Sequence, residues 1–206
     1  MPPESAMLQY EEALAYKDMI IGIGLDGDEL DHPPMLFAEL FQRAREDGFK
    51  ITSHCDFNQK NTYEHIRQVA TKIGRTGVDR IDHGLNVTDD DKLMGIIKEK
   101  GIGMTVCPCA YIRHTPVEDI FPRIRKLFDA GIKVTVASDD PAYMEDNWVL
   151  QGLLMMRYKG GFTDEEVLML QRNAVAICWG TDEVKNELMK KLDEFEGSRR
   201  YGKFTS

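Results

Sequence analysis

The chain has 206 residues, 42% hydrophobic and 30% charged, which is enough apolar content for one large packed domain and too much for a disordered segment. Its formal net charge of −9 argues against nucleic acid or an anionic membrane as the main partner. No apolar run reaches the ~18 residues of a membrane span, no basic-then-apolar leader opens the chain, and four cysteines are too few for a disulfide scaffold.

The expected compartment is therefore the cytoplasm, with the nucleus also open. The length suits one domain but falls short of the ~250 residues typical of a closed (β/α)8 barrel.

In chain order, Ser5 is placed to cap a helix over Ala6–Lys17, ahead of a first apolar run at Met19–Leu25 (MIIGIGL). Pro33–Asp47 has helical spacing, with proline tolerated in its first turn. A second run, Phe49–His54 (FKITSH), leads to a helix over Asn61–Ile73 that carries Ile66, Val69 and Ile73 on one stripe. A third, Val78–His83 (VDRIDH), precedes a helix over Asp89–Lys100, opened by Thr88 with Asp91 and closed by Gly101. Ile102–Cys107 (IGMTVC) and Ile132–Ser138 (IKVTVAS) are the fourth and fifth runs, with a helix over Ile120–Ala130 between them.

Short, nearly continuous apolar runs are what strands covered on both faces look like, and their alternation with helices predicts parallel βαβ units in an α/β fold. Three helices complete the chain: Asn147–Tyr158, Asp164–Cys178 behind a capping box at Thr163 and Glu166, and Glu183–Glu196. The Leu153-Leu154-Met155-Met156 stretch reads as core packing, and the last ten residues as a frayed basic tail.

The strands end in groups that a core would not choose: Asp26-Gly27-Asp28-Glu29, His54-Cys55-Asp56, Asp82-His83-Gly84, Cys107-Pro108-Cys109 and Ser138-Asp139-Asp140-Pro141. In parallel α/β folds these ends converge on the face where ligands sit. Histidines and carboxylates on one rim can bind a divalent metal through nitrogen and oxygen. Taken singly, each group has a plainer reading. A lone histidine is more often a hydrogen-bonded semi-buried ring, Asp-Asp-Pro is more often a turn or helix start, and Asp28 and Glu29 are solvated charges. Cys107-Pro108-Cys109 is a weak metal signal, and His32, His65 and His114 are expected at the surface. Recurrence at successive strand ends is what favours a site.

The ordered set GIGLDGDE, HPPMLF, SHCD, RIDHG, TVCP and VASDDPAY resembles the adenosine/adenine deaminase family of metal-dependent hydrolases, in its adenine-deaminase-like branch. The likeness runs from about Ile20 to Trp179. It implies a partial (β/α)8 TIM barrel in which the five βα units match strands 4–8. Residues 1–206 are then a single domain, the C-terminal portion of a deaminase barrel.

The resemblance further implies one zinc ion held by His54 and Asp139, and His83 as the group that orients and deprotonates the attacking water. Asp140 and Gly27 would contact the purine. The implied partners are a small-molecule purine and water.

Two departures accompany the likeness. The family's HAGE or HCGE glutamate, which protonates the purine ring, falls at Phe57, leaving Asp56 as the nearest carboxylate. The paired H-x-H of the family's first strand has no counterpart anywhere in the chain.

The expected reaction is adenine or adenosine to hypoxanthine or inosine plus ammonia, with little activity from the isolated chain. One alternative is deamination of an N6-substituted adenine or another aminopurine. Another is a non-catalytic half-barrel that needs a partner or self-association, because five strands would leave open edges and an uncovered apolar interior.

Overall fold

A computed structural model describes residues 1–55, 62–145 and 147–200, without the side chains of 199 and 200. Five strands form one sheet in sequence order: β1 (Gly22–Leu25), β2 (Lys50–Cys55), β3 (Arg80–His83), β4 (Gly103–Val106) and β5 (Val134–Val136). All four pairings are parallel. The helices between and around them are α1 (Pro3–Ala13), α2 (Ala38–Glu46), α3 (Thr62–Thr71), α4 (Asp91–Lys100), α5 (Pro108–Tyr111), α6 (Val117–Asp129), α7 (Val149–Tyr158), α8 (Asp164–Ile177) and α9 (Asp182–Arg200). This is the parallel α/β arrangement expected from the alternating pattern, and its five βα units match the partial barrel that the family resemblance implies.

Side chains alternate across a sheet with period two, and the register decides which face each takes. On the helix-covered face Ile51, Ile81, Met104 and Val134 are wholly buried. They pack with Phe41 and Ala44 of α2, Ile66 and Val69 of α3, Leu93 and Ile97 of α4, and Ile120, Ile124 and Leu127 of α6. Each such burial contributes roughly 1.5–3 kcal/mol relative to exposure.

The other face, the inside of the partial barrel, differs from the apolar surface expected. Thr52 Oγ1 donates to Asp82 Oδ2 at 2.6 Å, and Arg80 Nε lies 3.5 Å from Asp82 Oδ1. The Arg80 guanidinium stacks on Trp179, 4.4 Å from the ring centroid. Glycine at 22 and 103 makes room for that floor. A Cβ on Gly22 would stand 2.6 Å from Trp179, and one on Gly103 2.8 Å from Ile177. The concave face is thus lined by polar and small groups, and residues after α8 cover part of it.

Local boundaries shift for identifiable reasons. Helix α1 starts at Pro3 with Pro2 as N-cap, so Ser5 caps nothing; proline at the first helical position costs no hydrogen bond. It ends at Ala13 and passes into a 3-10 segment over Leu14–Met19, kinked at Tyr16. Asp90, rather than Thr88, caps α4, accepting from the Lys92 and Leu93 N–H groups, while Thr88 Oγ1 donates to the Leu85 carbonyl within a 3-10 turn. The capping box at Thr163 and Glu166 forms as read. In the Met-rich stretch Met156 is fully buried and Leu153 and Met155 pack against the core, but Leu154 is exposed. Helix α9 runs through the start of the expected frayed tail to Arg200.

Candidate active site

The C-terminal ends of the strands bring the polar groups together. His54, at the end of β2, directs Nδ1 at the Glu29 carboxylate, and its Nε2 lies 3.9 Å from Asp26 Oδ1. Its ring meets that of His83 edge to face, with centroids 4.3 Å apart. His83 closes β3; its Nδ1 bonds the buried Tyr111 hydroxyl at 2.9 Å, and its Nε2 lies 3.9 Å from Asp139 Oδ2. Tyr111 reaches this point because Pro108 starts the short helix α5 immediately after β4.

His83 and Asp139 both take left-handed backbone, with φ of 66° and 58°. Such a conformation costs of order 1–3 kcal/mol per non-glycine residue and persists only where its surroundings enforce it. Here it turns two strand-end side chains toward one point. Gly84, next in sequence, also has positive φ, and a Cβ there would come within 2.9 Å of Ile81.

One donor atom each from His83, Cys107 and Asp139 lie within 4.8 Å of one another, and His54 adjoins them through the ring contact with His83. Imidazole, thiol and carboxylate converging in this way suit a divalent cation. Glu29 stands behind His54, its carboxylate against the ring Nδ1. Burial pushes the Cys107 thiol well up, and the nearby Asp139 and Asp82 charges push it further. Without a cation it is a neutral thiol.

Gly27 has φ of 108°, with open space where a Cβ would be, and its N–H is held by Asp26 Oδ1 at 2.6 Å. It lies with Glu29 and His54 on a cavity of about 480 Å³ whose apolar wall includes Ile23, Leu25 and Phe37. Asp140 is exposed beside Asp139. Of the residues singled out by sequence, His54, His83 and Asp139 come together, Gly27 shares the cavity with His54, and Asp140 stands at the rim. Asp56 and Phe57 lie outside the described residues.

Three residues escaped the sequence reading. Glu29, read as solvated, is 8% exposed, and His65, expected at the surface, is 6% exposed and lies with Nδ1 3.6 Å from Glu29 Oε2. Helical spacing carried a signal for His65: Thr62, His65, Ile66 and Val69 all fall on the buried stripe of α3. Tyr111 had none, because α5 is a single turn.

The adenosine deaminase family model matches residues 2–195. An uncharacterized deaminase of Schizosaccharomyces pombe is 40% identical over 192 residues, covering 93% of this chain and 56% of its own length. The crystal structure of an adenine deaminase from Arthrobacter aurescens superposes with a TM-score of 0.86 at 27% identity, over 96% of this chain and 59% of that one. An amidohydrolase from Burkhoderia ambifaria with bound zinc gives 0.84 at 26%, over 96% and 56%. The chain spans about half the length of the curated relatives it matches.

Proposed function

The chain belongs to the adenosine deaminase family, and we propose on that footing that its site serves a zinc-dependent purine aminohydrolase. The reaction is adenine or adenosine plus water to hypoxanthine or inosine plus ammonia. The observation that carries this reading is the convergence of His54, His83 and Asp139 at one strand-end rim. We further read residues 1–206 as one domain, the C-terminal portion of the deaminase barrel, working in the cytoplasm.

His54 and Asp139 would hold the zinc, which lowers the pKa of a water toward ~7. His83 would take the proton from the attacking water. With Nδ1 engaged by Tyr111, its Nε2 is the nitrogen that faces the site. The oxygen adds at C6 of the purine, the ring nitrogen gains a proton, and the 6-amino group leaves as ammonia. Asp56 is the carboxylate nearest in sequence to the position that protonates the ring. Asp140 on the rim and the Gly27 backbone orient the purine. For Gly27 this requires the Asp26 carboxylate to release its N–H.

The test is absorbance-monitored turnover of a purine panel, including N6-substituted adenines, by this chain and by an N-terminally extended protein carrying an H-x-H strand. The zinc-loaded extended protein should deaminate adenine or adenosine, and the chain alone should do so weakly. Preference for an N6-substituted adenine would shift the substrate. Failure on every purine would overturn the reading and leave the half-barrel interaction module.

A further inference from the structure

We propose that Glu29 is a positioning residue: a carboxylate held between two imidazoles that fixes His54 with a proton on Nδ1 and presents its Nε2 to the site.

Glu29 is 8% exposed, and a buried carboxylate is costly unless charged or hydrogen-bonding groups surround it. Its two oxygens face different elements. Oε1 meets His54 Nδ1 on β2, and Oε2 lies 3.6 Å from His65 Nδ1 on α3. The loop carrying Glu29 is itself folded back. Asp28 Oδ1 accepts the Leu30 N–H at 3.0 Å, and the Glu29 carbonyl accepts the His32 N–H at 3.0 Å. The carboxylate is therefore placed by its own loop and directed at His54, with its second oxygen facing α3 at a distance longer than a hydrogen bond.

A neutral imidazole carries one N–H, and a carboxylate only accepts. Contact between Glu29 and His54 Nδ1 therefore requires the proton on Nδ1 and leaves the lone pair on Nε2. Free histidine in water prefers the opposite tautomer, so this state must be imposed. His54 Nε2 points away from Glu29, toward the strand-end rim, 3.9 Å from Asp26. An outer carboxylate that orients a ligating histidine typically changes metal affinity roughly 10–100-fold when removed. The tautomer stands on the geometry alone; its consequence for zinc rests on the deaminase reading.

Long-range nitrogen–proton NMR of the chain at about pH 8.5, without metal or purine, separates the two. The His54 resonances are assigned by their loss in His54→Gln. His54 in the native chain should be protonated at Nδ1. Glu29→Ala should move the proton to Nε2, and Glu29→Gln, whose amide oxygen can still accept, should restore Nδ1.

A native His54 protonated at Nε2, or at both nitrogens, would overturn the inference, as would an unchanged tautomer in a folded Glu29→Ala. If that variant fails to fold, the native tautomer and the Gln variant decide. In the N-terminally extended protein, Glu29→Ala should weaken zinc binding at least 10-fold by chelator competition, and unchanged affinity would refute the functional half. Purine turnover enters none of these measurements, so failure of the deaminase reading would show separately.

Discussion

Replacing Asp79 by alanine should destabilise the fold by about 3 kcal/mol. Asp79 precedes β3 at the floor of the sheet. It accepts the Ile51 N–H at 2.8 Å and pairs with Arg45 at 2.7 Å and Lys50 at 3.3 Å. Ile51 is wholly buried, so its orphaned N–H costs roughly 1–3 kcal/mol. Arg45 keeps the Gly77 and Phe49 carbonyls but loses its counter-charge. The Arg45 side chain is 27% exposed, so screening holds that loss to about 1 kcal/mol.

The sum, about 3 kcal/mol, corresponds to a Tm decrease of roughly 6–12 °C in a domain of this size. Burial raises the Asp79 pKa, but the Ile51 N–H and the Arg45 and Lys50 charges outweigh it and hold the carboxyl below the usual carboxylate range. A lowered folded-state pKa gives stability that is complete above the unfolded value near ~4 and is lost as pH falls through the folded one. Urea unfolding at pH 7 and through the acid range is the assay. The native and Asp79→Ala curves should converge as the acid range is entered. A loss below 0.5 kcal/mol at pH 7, or a gap independent of pH, would refute the reasoning.

Other consequences can be checked at the bench. Tyr111→Phe removes the hydroxyl from His83 Nδ1 in a buried setting and should cost about 1 kcal/mol by denaturant titration while altering the His83 ring resonances. Gly103→Val would drive its side chain into Ile177, whose atoms already stand 2.8 Å from a Cβ at that position, and should destabilise by roughly 1–3 kcal/mol in thermal melts. Cys55, Cys107 and Cys109 are buried with thiol pKa values raised chiefly by burial, so mass spectrometry after brief alkylation should find Cys178 modified first. Equal labelling of all four cysteines in the folded protein would contradict the packing described.

The strand cores were legible because apolar runs such as IKVTVAS have no competing local structure. Their ends were not, since hydrophobicity extends beyond hydrogen bonding: Met19 and Ile21 continue the first apolar run yet are exposed outside β1. The site histidines His54 and His83 and the aspartate Asp139 could be found because strand-end chemistry recurs in every βα unit. Glu29 could not, because an acidic residue in a loop is not unusual alone, whereas the burial of His65 could be read from its place on the apolar stripe of α3. The burial of Glu29 is a relation between a loop, a strand and a helix that no local pattern encodes. The polar concave face went unseen for a similar reason, since Thr52, Arg80 and Asp82 answer one another across strands.

The Arg80–Trp179 stack gives the protein an optical label at the bottom of its concave face. The chain has two tryptophans, and the other, Trp148, is 57% exposed just ahead of α7, in the segment that follows Asp139 and Asp140. One indole therefore emits against a guanidinium beneath the strands, and the other emits from near water on the opposite side. Replacing either by phenylalanine isolates the other's fluorescence, so that loosening of the floor and rearrangement of the rim could be followed separately in two single-tryptophan variants.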